Sequence, residues 1–87
     1  MKNEQLVNNF LMGETKGKAS NLEIRGDKLV NYGTTIAQRV NGVIVLNLTK
    51  YSMSTTRIQN MLRKEMPNAR TTSTDVPRGA KDLTLYL

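Results

Sequence analysis

A chain of 87 residues with a net charge of +6 and neither cysteine nor histidine supports one small domain, 1–87, and excludes several chemistries at once. There is no disulfide framework, no thiol nucleophile, neither of the commonest zinc ligands, and no imidazole for proton transfer near neutral pH. The positive charge sits in residues 16–64, where Lys16, Lys18, Arg25, Lys28, Arg39, Lys50, Arg57, Arg63 and Lys64 face only Glu23 and Asp27. Such a field attracts polyanions, its plainer role being solubility.

Asn3 to Met12 spaces Leu6, Val7, Phe10 and Leu11 as one apolar stripe, which predicts a short helix ended by Gly13 and covering a sheet. The same stretch carries Glu4 and several asparagines where a signal peptide needs an unbroken apolar run. No segment approaches the roughly 18 apolar residues of a membrane span. A cytoplasmic location without a membrane partner is expected, the host cytoplasm if the chain is phage-encoded. Gly13 to Ser20 (GETKGKAS) reads as a mobile loop by composition. Leu22 and Ile24 then alternate with Glu23 and Arg25, and Arg25-Gly26-Asp27-Lys28 turns the chain into a second strand, Leu29 to Tyr32. The Arg-Gly-Asp triplet is read as that turn and not as an adhesion motif, because no secretion signal accompanies it.

Thr35 to Val40 and Val43 to Leu48 flank Asn41-Gly42, the favoured pair for a two-residue type I′ hairpin, whose central residues both take positive φ. The register follows: Val40 with Val43, Gln38 with Val45 and Ile36 with Asn47 on one face, Arg39 with Ile44, Ala37 with Leu46 and Thr35 with Leu48 on the other. Both faces mix apolar and polar groups, so both are expected to meet something. Gln38 with Asn47, or Arg39 with Thr35, are the polar contacts expected on whichever face stays open. A homodimer is one way to cover the second face.

Thr49 to Thr56 is rich in residues that cap helices. Thr56 and Gln59 have capping-box spacing, with Ser52 or Ser54 as equal candidates for the cap. A helix is expected from about Ser54 to Met66, with Ile58, Met61, Leu62 and Met66 toward the core and Pro67 as its stop. The methionines are read as adaptable core filler. Leu83 to Leu87 alternates as a strand, Pro77 to Ala80 reads as a turn, and Arg70 to Asp75 either pairs back on that strand or forms a loop. The fold class is therefore α+β: a short N-terminal helix, an antiparallel β-meander with the Asn41-Gly42 hairpin, one packed helix, and a C-terminal strand or hairpin. A basic core module spans about 18–66.

No enzyme is expected. The seven carboxylates are scattered, nothing pairs two of them in contrasting environments, and no glycine-rich phosphate loop is present. No metal or cofactor is implied. Binding of DNA or RNA, or of a host nucleoprotein or nuclease, fits the charge better. Lys28, Arg39, Lys50, Arg57, Arg63 and Lys64 are the candidate phosphate contacts, with Tyr51 at the hairpin-to-helix junction. The hydroxyls of Ser52, Ser54, Thr55 and Thr56 at the start of the second helix can receive a phosphate or simply cap the helix. Tyr32, Tyr51 and Tyr86 are too few to imply a base-stacking platform and read as half-buried sheet residues.

Gly26-Asp27-Lys28-Leu29, Tyr32, Ile36-Ala37-Gln38-Arg39, Asn41-Gly42, Asn47 and Thr49-Lys50-Tyr51-Ser52-x-Ser54-Thr55 resemble a short domain family of uncharacterised bacteriophage and prophage proteins, over about residues 18–62. That family brings no established activity or catalytic residue. The resemblance implies a phage or mobile-element origin. Two functions follow: a nucleic-acid-binding accessory protein acting through the central hairpin and following helix, or an anti-defence, anti-CRISPR-like inhibitor acting by protein–protein contact.

Overall fold

A computed structural model describes residues 2–65, 71–74 and 76–84. Helix α1 (Asn3–Leu11) leads into strands β1 (Lys16–Ala19), β2 (Leu22–Arg25), β3 (Lys28–Asn31), β4 (Thr34–Val40) and β5 (Val43–Asn47), followed by helix α2 (Met53–Glu65) and strand β6 (Thr71–Ser73). The strands form one sheet in chain order. The first five are antiparallel neighbours and β6 runs parallel to β5. The fold is α+β, as the hydrophobic periodicities predict.

The meander is built on four two-residue turns, after Ala19, Arg25, Asn31 and Val40. Asn41 and Gly42 have φ of 51° and 81°, the type I′ pair that the sequence predicts. The register around them is the expected one, from Val40 opposite Val43 to Ala37 opposite Leu46. The loop expected at Gly13 to Ser20 is corrected: Lys16–Ala19 is a strand paired to β2 along its whole length. Its weak local propensity is overridden by that pairing and by packing. A Cβ at Gly17 would lie 2.6 Å from Leu6 Cδ1, so the glycine that reads as a loop residue allows α1 to seat on the strand.

Both helices cover one face of the sheet. Leu6, Val7 and Phe10 of α1 and Ile58 and Leu62 of α2 join Ala19, Leu22, Ile24, Leu29, Ile36, Ala37 and Leu46 in the main core. A register shift between Leu29 and Val30 accommodates Ile36 as an extra residue in β4. Ser52 caps α2, its Oγ accepting from the Thr55 amide at 3.3 Å. The stop expected at Met66-Pro67 lies outside the described residues. No helix among those described is long and apolar enough to cross a membrane.

The opposite face is covered over β4 and β5 by residues 76–84. Val76 and Leu83 pack on Val45 in a second small core. Thr35 donates its amide to the Ala80 carbonyl and its hydroxyl to that of Lys81, both at 2.8 Å. Gln38 Oε1 accepts from the Leu83 amide at 2.6 Å. The open hairpin face expected from the sequence is thus corrected: Gln38, Asn47 and Thr35 are buried and bonded within the chain. Pro77 to Ala80 is a turn, with the Ala80 amide on the Pro77 carbonyl at 3.2 Å. Thr71–Ser73 pairs with β5. A helix intervening between two strands returns the chain to the starting end of the first, so the next strand runs parallel. Leu83 and Thr84 are not in a strand, and Leu85 to Leu87 lie outside the described residues.

Candidate nucleic-acid interface

Over β1 and β2 the helix-free face carries no covering segment among the described residues, and β3 lies at the boundary, with Val30 buried and Lys28 half-buried beside Asp82. Ala19, Leu22, Ile24 and Leu29 turn toward the helices, so alternation sends Lys16, Lys18, Glu23, Arg25, Lys28 and Val30 to the other side. The register sets Lys16 opposite Arg25, and Arg25 opposite Lys28. Neighbouring strands lie about 4.8 Å apart, so three cations form one short row across the sheet. Lys18 lies in the next row, opposite Glu23. Lys16, Lys18 and Arg25 are exposed and Lys28 is half-buried.

Two carboxylates compensate this row in part. Glu23 Oε1 accepts from Arg25 Nε at 2.8 Å, and Asp82 Oδ2 lies 3.9 Å from Lys28 Nζ. Hydrogen bonds from the Thr84 hydroxyl and amide hold the Asp82 carboxyl below its ordinary range, helped by Gln38 and Lys28. Exposed pairs of this kind contribute little. Like charges directly opposite each other on a sheet are destabilising, so the row carries a repulsion that these two carboxylates relieve only in part and that a further anion would lower.

A shallow groove of about 190 Å³ lies beside the row, with Lys18, Glu23, Arg25, Val30 and Tyr32 in its lining. Tyr32 is 59 % exposed, not half-buried as its place at a strand end suggests. It occupies the first position of the β3–β4 turn with φ of 52°, followed by Gly33 at 77°.

The other sequence candidates do not converge on this surface. Arg39 is engaged internally: its Nη2 donates to the Phe10 carbonyl at 2.7 Å and its guanidinium lies 5.1 Å from the Phe10 ring centroid. It satisfies a carbonyl at the C-terminal end of α1, where a cation also complements the helix dipole. Tyr51 donates its hydroxyl to the Val76 carbonyl and accepts from Asn47 Nδ2 at 2.9 Å. Its place is structural. Lys50, Arg57, Arg63 and Lys64 are exposed. On α2 the buried residues are Thr55, Ile58, Gln59 and Leu62, so Arg57, Arg63 and Lys64 lie around the part of the helix turned from the sheet.

No known protein family, curated protein or solved structure matches the chain.

At the start of α2 a cleft of about 350 Å³ includes Tyr32, Tyr51, Ser52, Ser54 and Arg78 in its lining. Three of the four hydroxyls expected to receive a phosphate make bonds within the chain. Ser52 caps the helix, Thr55 Oγ1 donates to Asn31 Oδ1 at 2.6 Å, and Thr56 Oγ1 to the Ser52 carbonyl at 2.9 Å. Gln59 Nε2 reaches the Asn47 and Thr49 carbonyls at 2.8 and 2.9 Å. Much of the sequence pattern around Gln38, Asn47, Thr49, Tyr51, Ser52 and Thr55 is thereby accounted for by one internal network. Lys16, Lys18, Arg25 and Tyr32 are the surface residues that sequence reasoning left out. The signal for the lysines was their spacing of two, which is the period of a strand.

Proposed function

We propose that this chain is a small basic accessory protein, of the phage type its resemblance implies, that binds nucleic acid through the helix-free face of β1–β3. The observation that carries the reading is the cross-strand row Lys16–Arg25–Lys28 with Lys18 beside it. A folded sheet gains nothing from three cations held opposite one another, whereas a phosphate backbone supplies the neutralising charge. This moves the contact from the hairpin and α2 to the first three strands and retains Lys28 from the residues expected on sequence grounds.

Titration of labelled mixed-sequence DNA and RNA at several salt concentrations tests the reading. Contact with about three or four phosphates gives a slope of log affinity on log salt of roughly −2 to −3. Replacing Lys16, Lys18, Arg25 and Lys28 together with glutamine brings that slope toward zero. Replacing Arg57, Arg63 and Lys64 leaves it unchanged; a loss there instead moves the site to α2. Absence of binding at low salt, together with a stoichiometric protein partner that survives nuclease and high salt, replaces the reading with protein contact.

A further inference from the structure

Resting on the nucleic-acid reading, we infer that the surface takes single-stranded nucleic acid, with Tyr32 stacking on an unpaired base in the groove it shares with Lys18 and Arg25. Two observations meet at this residue. The first is position: the residue is 59 % exposed and lines the same groove as Lys18, Glu23, Arg25 and Val30. An aromatic face next to cations matches a nucleotide whose base is free to leave its partner, because phosphate and base are then offered side by side. A duplex keeps its bases stacked inside and offers such a ring only sugar and phosphate.

The second observation is the residue type. Tyr32 and Asn41 occupy the same place in two turns of one kind, with φ of 52° and 51°, each followed by a glycine of positive φ. Asparagine is at home in that left-handed conformation; a bulky aromatic side chain is an outlier there. The ring forms no part of either hydrophobic cluster, so packing does not explain it. The chain thus keeps an unfavourable residue in a turn that Asn41 shows how to build, and it keeps it out in solvent in a groove shared with Lys18 and Arg25. A Tyr32 that only closes the turn is improved by replacement with asparagine; a Tyr32 that stacks on a base is not.

The test measures anisotropy of a labelled oligonucleotide, single-stranded and as the duplex of the same sequence, against the wild type, Tyr32→Asn and Tyr32→Phe, with thermal melts of all three. The expected result is preference for the single strand, a loss of between about 5-fold and 100-fold in single-strand affinity for Tyr32→Asn, and near-wild-type affinity for Tyr32→Phe. Tyr32→Asn melts at or above the wild-type temperature, and its salt slope is unchanged because no phosphate contact is removed. Equal or tighter binding of the duplex, or full single-strand affinity in Tyr32→Asn, overturns this inference and leaves the nucleic-acid reading standing. Absence of binding to either form by the wild type at low salt overturns both.

Discussion

The helix-free face of the sheet has two halves, one lined with neutral polar residues and one with charged ones, and they have opposite fates. Over β4 and β5, Thr35, Gln38 and Asn47 point to this face and are buried under residues 76–84; among the described residues no buried side-chain nitrogen or oxygen lacks a partner. Over β1 and β2, Lys16, Lys18 and Arg25 lie without such a cover among the described residues, and Lys28 of β3 stands at its edge. Polar residues on a strand therefore do not mark a binding site by themselves. What separates architecture from a candidate interface is whether the chain supplies the partner.

The comparison breaks most visibly on the covered half. Leu83 is fully buried against Val45 and Val76. Leu83→Ala is expected to cost about 3 kcal/mol and lower the melting temperature by more than about 10 °C in a domain of this size. Affinity for nucleic acid, measured well below the melt, is expected to stay at the wild-type value. If it falls in step with stability, the two halves are not separable. Gln38→Met, close in volume, comes next. It leaves the Leu83 amide without its acceptor at 2.6 Å, for a cost of about 2 kcal/mol by urea denaturation, again without effect on binding.

The same contrast explains what was legible in the sequence. Elements fixed by local rules were readable: the α1 stripe ended by Gly13, the Asn41-Gly42 turn with its register as far as Ala37 and Leu46, and Ile58 and Leu62 on α2; the bulge at Ile36, which moves Ile36 to the helix face and Thr35 to the face of Gln38 and so replaces the expected Ile36–Asn47 and Thr35–Leu48 pairs, was not. β1 was not, because Gly17 and the flanking lysines have loop composition and the strand exists only through pairing with β2 and contact with Leu6. The site was misplaced for a related reason. Arg39 reads as a free cation beside a hairpin turn, and nothing local announces that α1 ends against it. Gln38 and Asn47 read as surface groups until residues 76–84, far along the chain, cover them. Long-range cover decides which polar residues are available, and single-sequence periodicity does not report it.

On the open half the expected sign reverses. Lys16→Glu places a carboxylate opposite Arg25 in place of a like charge. Stability is expected to rise by about 0.5 kcal/mol at low salt and the gain to fade as salt is added. Affinity for nucleic acid falls in the same variant. A substitution that stabilises the fold and weakens binding distinguishes a surface kept for a partner from one kept for solubility. A simultaneous loss of stability would show that Lys16 serves the fold instead.

The smallest effect comes from the pair that joins the halves. Asp82 belongs to the covering segment, and its carboxylate lies 3.9 Å from Lys28 of the open row. The fold holds its pKa below the ordinary value of 3.8, chiefly through the Thr84 hydroxyl and then the Thr84 amide. The ionised form is therefore favoured by folding, so its contribution is complete above the ordinary carboxylate pKa. It is lost as pH falls through that value toward the lower folded one. Hydrogen exchange at the Thr84 amide, bonded to Asp82 Oδ1 at 2.7 Å, is expected to lose protection beyond the intrinsic pH trend below about pH 4. Asp82→Asn abolishes that dependence. The same variant removes an anion from the edge of the cation row, and single-strand affinity at low salt is expected to rise by less than about threefold, as for other exposed pairs. A larger rise would mean that the covering segment restrains the open half through Lys28, and that the division between cover and interface runs through this residue.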